Sequence, residues 1–159
     1  MRIKTGLGYD IHKFAEGRKC VLGGVEIPYE KGLLGHSDAD VVLHALCDAI
    51  LGALGLGDIG EHFPNTDPAY KDIASLELLK KVKEQLDESG YALSNVDIMI
   101  QAEAPKVNPH KQEMIKNIAT TLELAQEDIN IKATTQEGLG AIGNKEGVAA
   151  FASVLIYTK

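Results

Sequence analysis

Apolar positions recur along this chain with two different periods. From Asp38 to Leu54 most positions are apolar (Val41, Val42, Leu43, Ala45, Leu46, Ala49, Ile50, Leu51, Ala53 and Leu54), with no Pro and a single glycine at Gly52. Length and composition predict a helix over 38–54, its first turn capped by Ser37 or Asp38. A surface this broadly apolar predicts burial on nearly all sides. Ser75–Glu88 reads differently: Leu76, Leu79, Val82 and Leu86 repeat at helical spacing, Lys and Glu fill the wet face, and Gly90 stops the pattern. A third helix is predicted from Asn108-Pro109 to about Glu123, with Asn as cap, Pro at the first position, and Ile115, Ile118, Ala119 and Leu122 inward.

The remaining apolar runs carry the two-residue period of strands. Residues 2–13 read as a strand ending in Gly-Tyr-Asp-Ile-His. Lys19–Val21 and Val25–Ile27 flank Gly23-Gly24 as a hairpin, Pro28 ends it, and Tyr29–Leu34 follows as a loop. Val96, Ile98 and Ile100 alternate with polar or longer residues in a strand over Tyr91–Ala102, and Ile129–Thr135 is a strand with Ile129, Ile131 and Ala133 on one face. Gly138, Gly140, Gly143 and Gly147 mark a loop before a final apolar strand, Val148–Tyr157. The expected architecture is an α/β (α+β) sandwich: one mixed, mainly four-stranded sheet with helices packed on one face. The other face, notably along Val148–Ile156, is too apolar to stay wet, so a second subunit is expected to cover it.

Composition narrows the function classes. With 159 residues, 45% hydrophobic and 25% charged, the chain suits one domain over 1–159 with a substantial core. A net charge of −7 argues against a nucleic-acid surface. It also means that a phosphate-bearing substrate needs local cations or helix N-termini to offset the global field. No apolar run reaches membrane-spanning length, and MRIKTGLGYD lacks the apolar centre of a secretory leader. Cys20 and Cys47 lie outside any Cys-x-x-Cys pattern, so two free thiols in a reducing cytoplasm are expected.

Asp40, His44 and Asp48 recur every fourth residue, one stripe on an otherwise apolar helix. Carboxylates are rarely buried without a partner or a cation, so the stripe should face a metal, a polar cleft or a subunit interface. A solitary histidine there would read as a core residue with one satisfied hydrogen bond. Upstream, however, Asp10 and His12 share one face of a strand, with Ile11 on the other. Two imidazoles and a carboxylate suit a catalytic zinc site. The same set resembles the facial triad of non-haem iron and leaves iron, manganese and cobalt open. Asp40 or Asp48 is a candidate to accept from the free nitrogen of His44.

His36 and Ser37 precede the helix start, where unpaired N–H groups favour an anion; a capping turn with a chance histidine is the equally weighted plain alternative. Asp58 sits among Gly55, Gly57 and Gly60, glycines that allow close backbone approach to a ligand. His62–Pro68 is a Pro-punctuated polar loop with the character of a mobile lid.

Several motifs in order resemble one family. Gly8-Tyr9-Asp10-Ile11-His12, Gly35-His36-Ser37-Asp38-Ala39-Asp40-Val41, His44-Ala45, Asp48-Ala49, Leu51-Gly52-Ala53 and Gly57-Asp58-Ile59-Gly60 are similar to those of 2-C-methyl-D-erythritol 2,4-cyclodiphosphate synthases. So are Phe63-Pro64 with Thr66-Asp67, Ala104-Pro105-Lys106, Lys132-Ala133-Thr134-Thr135 with Glu137, and Glu146-Gly147. The resemblance covers the whole chain. It implies a step of non-mevalonate isoprenoid biosynthesis, in which 4-diphosphocytidyl-2-C-methyl-D-erythritol 2-phosphate closes to the cyclic diphosphate and expels CMP. It further implies a homotrimer with active sites between subunits, a zinc ion, and a magnesium or manganese ion on the substrate diphosphate.

Carried over motif by motif, Asp10, His12 and His44 would hold zinc, His36 and Thr135 would stabilise the transition state, and Glu137 would approach the second metal. Asp58 would hold polyol or ribose hydroxyls. Ala102, Glu103, Ala104, Pro105, Lys106, Val107 and Asn108 would form the nucleotide pocket with Thr134 and Thr135, on the adjacent subunit. The same match extends substrate contacts to Ile11, Ser37, Ile59 and Gly60, to Phe63, Pro64, Asn65, Thr66 and Asp67, and to Gln136, Ala141 and Asn144. Three positions depart from the pattern: Asn65 stands where many relatives have Asp, and Ala141 and Asn144 where they often have Phe and Arg. Axial binding of an isoprenoid diphosphate is therefore not carried over. Two other classes fit the residues less fully: a metal-dependent phosphohydrolase using water at the same Asp-His-His set, and a non-catalytic trimer whose polar stripe plugs its axis.

Overall fold

The computed structural model describes residues 1–159. In chain order it contains β1 (Ile3–Ala15), β2 (Cys20–Leu22), β3 (Val25–Ile27), β4 (Gly32–Leu33), α1 (Val41–Leu54), α2 (Ile59–His62), α3 (Ser75–Glu88), β5 (Tyr91–Gln101), α4 (Lys111–Leu122), β6 (Ile129–Thr134), α5 (Gly140–Gly143) and β7 (Gly147–Thr158). One mixed sheet has the order β4-β1-β7-β5-β6, and β2-β3 form a separate hairpin. β7 pairs antiparallel with both β1 and β5, and β5 pairs parallel with β6. Helices cover one face, as the pattern predicted. The sheet has five strands where mainly four were expected: Gly32–Leu33, read as loop, pairs with Ala15 and Phe14 at the edge. Two residues are too few to show a period.

The buried helix α1 crosses β1 and β7 and packs on α3. Its approach to the sheet depends on Gly6 and Gly8. A Cβ at Gly8 would lie 1.8 Å from the Ala45 carbonyl oxygen, and one at Gly6 1.8 Å from that of Ala49. Small residues on both elements, Ala45, Ala49 and Ala53 against glycines, bring helix backbone onto strand backbone. The strand continues along the same face to Asp10 and His12. Its other face carries Ile3, Leu7, Tyr9 and Ile11, all exposed, with Tyr9 against Phe151 at 4.7 Å between ring centres.

Several boundaries differ from the sequence reading. α1 begins at Val41, not Asp38, because Asp40 is its cap: the side chain accepts from the Leu43 N–H, and Ala39 stands at φ +58°. α4 begins at Lys111 after a 3₁₀ turn over Asn108–His110, and Asn108 makes no capping hydrogen bond. Met114 is buried there, with Ile115 only packed against the core edge. In α3 Leu78 takes the inward place expected of Leu76. Ala133 is exposed, not inward with Ile129 and Ile131, because the end of β6 runs past its helical cover. The apolarity of β7 is mostly spent inward: Val148, Ala150, Ala152, Val154 and Ile156 are buried, and of the large apolar side chains on this strand only Phe151 is exposed. Outer-face apolarity therefore comes mainly from β1.

Candidate active site

Asp10 and His12 emerge from β1 on the face that meets α1, and His44 meets them from the helix. Asp10 Oδ2 lies 3.0 Å from His12 Nε2 and 3.1 Å from His44 Nδ1, and the two ring nitrogens are 3.3 Å apart. A tetrahedral ion held at about 2.1 Å would space its ligand atoms by roughly 3.4 Å. The three donors already stand within a few tenths of an ångström of that spacing. His12 Nδ1 lies 2.8 Å from the Leu34 carbonyl, which only accepts, so that nitrogen carries the proton and Nε2 turns its lone pair to the cluster. The residues present therefore fit a divalent cation, and Asp10, His12 and His44 form a group that could hold one.

Charge in the cluster follows from these contacts. Burial works to raise the Asp10 pKa, but in their doubly protonated, charged form His12 and His44 both donate to the carboxylate and outweigh it, bringing it to about 2. Burial works against the charged form of His12, yet the Asp10 carboxylate raises its pKa above the ordinary imidazole value.

Neither Asp40 nor Asp48 reaches His44, contrary to the sequence reading. Four residues of helix turn 400°, so each step along the stripe rotates it by about 40° and the three side chains fan apart. Asp40 is fully buried and serves the hairpin: Oδ1 accepts from Gly23 N–H at 2.9 Å and Leu43 N–H at 3.1 Å, and Oδ2 from Gly24 N–H at 2.7 Å. Its burial and the nearby Asp38 push its pKa up to about 6 despite those donors. Asp48 accepts from the Ile59 N–H at 2.7 Å and so anchors α2. His44 Nε2 instead meets two hydroxyls, Ser75 Oγ at 2.9 Å and Ser37 Oγ at 3.1 Å.

A cavity of about 210 Å³ opens over the cluster, walled by His36, Ser37, Ile59, Gly60, Phe63 and Asn65 as well as the three donors. His36 Nε2–H donates to the Asp67 carbonyl at 3.1 Å, tying the His62–Pro68 segment to the cavity rim. Asp58 caps α2 through the Glu61 N–H at 3.0 Å.

A second cavity, about 350 Å³, lies between Ala102–Asn108 and Ala133–Thr135. Glu103 staples its two walls: Oε2 accepts from Gln136 N–H and Oε1 from Gly138 N–H, each at 3.0 Å. Sheet register puts Asp10, Ala150, Ile100 and Ala133 in one row. Three strand spacings separate its ends by roughly 14 Å. The cavities therefore sit at the same end of the sheet, but no residue lines both.

The model of the YgbB family matches residues 3–157. The chain belongs to the YgbB family. It is 56% identical over 157 residues to a 2-C-methyl-D-erythritol 2,4-cyclodiphosphate synthase from Pelobacter propionicus, covering 99% of each chain. Its fold superposes on the bifunctional IspDF of Campylobacter jejuni with a TM-score of 0.96 and 50% identity, over 99% of this chain and 43% of that one. It also superposes on IspF of Plasmodium falciparum in complex with CDP, with a TM-score of 0.87, 38% identity, and coverage of 99% and 97%.

Within the YgbB fold the expected site residues divide into two groups. Asp10, His12, His36, Ser37, His44, Ile59, Gly60, Phe63 and Asn65 gather at the first cavity; Ala102, Glu103, Pro105, Lys106, Val107, Asn108, Thr134 and Thr135 gather at the second. Asp58, Pro64, Thr66, Asp67, Ala104 and Gln136 adjoin these walls without lining them, and Ile11 points to the outer face. Glu137 is exposed at φ +52°, its N–H 3.3 Å from Thr135 Oγ1. Ala141 and Asn144 lie at α5 and its C-cap, apart from both cavities. Sequence reading missed Gly35, Tyr70 and Leu78 in the first cavity, and Ser75 beside His44. Only Ser75 left a signal, as the polar residue that opens a helix whose apolar face is otherwise regular.

Proposed function

We propose that this chain converts 4-diphosphocytidyl-2-C-methyl-D-erythritol 2-phosphate to 2-C-methyl-D-erythritol 2,4-cyclodiphosphate and CMP, in non-mevalonate isoprenoid biosynthesis. The observation that carries the reading is the convergence of Asp10, His12 and His44 at the floor of a cavity rimmed by His36 and Ser37. The CDP complex of the Plasmodium relative supports a cytidine nucleotide as part of the substrate. Asp10, His12 and His44 would hold zinc. Glu137 would approach a magnesium or manganese ion on the diphosphate. Bound there, these ions would supply Lewis acidity toward phosphate oxygens and offset charge that the acidic chain repels.

The protein's own residues do the rest by placement. The attacking group is already a phosphate anion, so the site needs no strong general base. Phosphoryl transfer asks chiefly for positioning and charge stabilisation, and folding one substrate back on itself makes the step unimolecular. His36, held by the Asp67 carbonyl, presents its ring beside the cation site. Ser37 adds a hydroxyl, and Ile59 and Gly60 close the floor. Ala102–Asn108 with Thr134 and Thr135 would grip the nucleotide, and the Thr135 hydroxyl would steady the phosphate as charge redistributes.

The separation of the two cavities supports a site assembled from two subunits of a homotrimer. The first falls below the roughly 300–1,000 Å³ of ordinary ligand pockets and the second only just enters that range, and the exposed apolar face of β1 offers a surface for association. No helix is long and apolar enough to cross a membrane. Two buried, unpaired cysteines support a cytoplasmic setting. Incubation of the protein with the cytidyl substrate and magnesium, followed by phosphorus NMR, tests the reading. The cyclic diphosphate with CMP is expected; an acyclic monophosphate would make the protein a hydrolase.

A further inference from the structure

His44 has one nitrogen in the cation cluster and the other against two serine hydroxyls, and its usefulness as a ligand depends on which nitrogen holds the proton. Nδ1 faces the Asp10 carboxylate at 3.1 Å, which draws the proton to that nitrogen, so the outcome depends on what the serine side offers Nε2. Ser75 is fully buried at the first position of α3, and Asp38 grips it twice. Asp38 Oδ2 accepts from the Ser75 N–H at 3.0 Å, and Asp38 Oδ1 accepts from the Ser75 hydroxyl. A carboxylate can only accept, so the single Ser75 hydroxyl proton is committed to Asp38. What Ser75 offers His44 at 2.9 Å is therefore a lone pair. Ser37 Oγ accepts from the Ala39 N–H at 3.2 Å and keeps its own proton, so the longer 3.1 Å contact with His44 does not set the direction and Ser75 does.

We propose that Asp38 and Ser75 are positioning residues that hold the neutral His44 ring as its Nε2–H tautomer against the pull of the Asp10 carboxylate on Nδ1, and thereby present Nδ1 to the cation as a bare lone pair. The chain runs from the Asp38 carboxylate, through the Ser75 hydroxyl, to the His44 N–H and across the ring to Nδ1. It parallels the Leu34 carbonyl on His12, but with a charged origin and one hydroxyl between. The Asp38 carboxylate also enters from the segment that precedes α1, while Ser75 belongs to α3. The relay thus ties the ligand's electronic state to the docking of two helices. The inference rests on the proposed cation site.

The metal-free wild type is the first measurement, and it needs no variant. Long-range proton–nitrogen NMR above the imidazole titration should show His44 with Nε2 protonated and Nδ1 bare. Finding the proton on Nδ1, donated to Asp10, would overturn the proposal. Ser75→Ala keeps the N–H to Asp38 and removes only the hydroxyl. It should admit the Nδ1–H tautomer and weaken zinc binding about 10- to 100-fold, the range for loss of a ligand's supporting hydrogen bond. Asp38→Asn should show the same pair of changes, because its amide can turn an NH₂ to Ser75 and free that hydroxyl to donate to His44. It decides the matter if Ser75→Ala fails to fold. Zinc affinity within twofold of wild type, or weakened affinity with the Nε2–H tautomer intact, would refute the relay. A wild type that binds no divalent cation would refute the cation site itself.

Discussion

Gly8→Ala tests whether the metal site depends on backbone contact between β1 and α1. The new Cβ would stand 1.8 Å from the Ala45 carbonyl oxygen, 2.7 Å from the Ala49 nitrogen and 2.8 Å from the Ala45 carbonyl carbon. All three are backbone atoms of a helix buried along most of its surface, so no side chain can rotate away. Even a tight contact of about 3.0 Å requires strand and helix to part by roughly 1.2 Å. Overpacking a core typically costs about 1–3 kcal/mol, and a backbone-on-backbone clash belongs at the upper end. At about 2–4 °C per kcal/mol for a chain of this size, the melting temperature should fall by roughly 6–12 °C.

The effect on the site should be larger than that on the fold. Asp10 is two residues along the same strand face, and a metal site tolerates displacements of only about 0.2 Å per ligand. A shift several times greater separates Asp10 and His12 from His44, so zinc affinity should fall at least 100-fold while a folded protein remains. Thermal unfolding by circular dichroism with zinc titration by calorimetry reads both quantities. A Gly8→Ala protein that melts with wild type and binds zinc equally well would show that the glycines do not set the distance between strand and helix.

Other outcomes follow from single contacts. His44→Ala removes one of three donors and should abolish zinc binding, measured by metal analysis after gel filtration, while the far-ultraviolet circular dichroism stays native. Asp40→Asn places an NH₂ against backbone N–H donors and should cost about 1–3 kcal/mol in urea unfolding. Because the folded-state Asp40 pKa is raised to about 6, the native state holds the extra proton between roughly pH 4 and 6. Wild-type stability should therefore decline relative to Asp40→Asn as pH rises through that window, and an unchanging difference would contradict the assignment. Glu103→Ala frees the Gln136 and Gly138 N–H groups and should weaken CDP binding about tenfold without changing zinc affinity, as calorimetry would show. Coexpressed His44→Ala and Thr135→Ala chains should recover activity in mixed assemblies. Activity no higher than in either parent variant would place each site within one chain.

Much of this architecture was legible because it is periodic. α3 could be bounded to the residue, and β5 and β7 to within one or two, since alternation and helical spacing persist over ten residues or more. The zinc-type donors were legible because the strand period put Asp10 and His12 on one face. What escaped was set by contacts across the fold. The stripe Asp40-His44-Asp48 looked like one surface, but helical drift sent Asp40 to the hairpin and Asp48 to α2. Ser75 could not be placed beside His44 without knowing how α3 docks. The glycines at 6 and 8 were visible, yet only the packing of α1 shows why a side chain is excluded there.

The position of β7 has a consequence for how the molecule is made. It follows every other element of this fold in sequence and yet is the middle of the sheet, the only strand to which both β1 and β5 are zipped. Until it docks, those two strands have no common partner and expose open edges, and the contacts that join the two halves are distant in sequence. Such a topology folds slowly and late. Asp10, His12 and His44 therefore all precede in sequence the strand that completes the sheet behind them. Closure of the sheet around the Asp10, His12 and His44 cluster thus waits on a strand more than a hundred residues away from it in sequence.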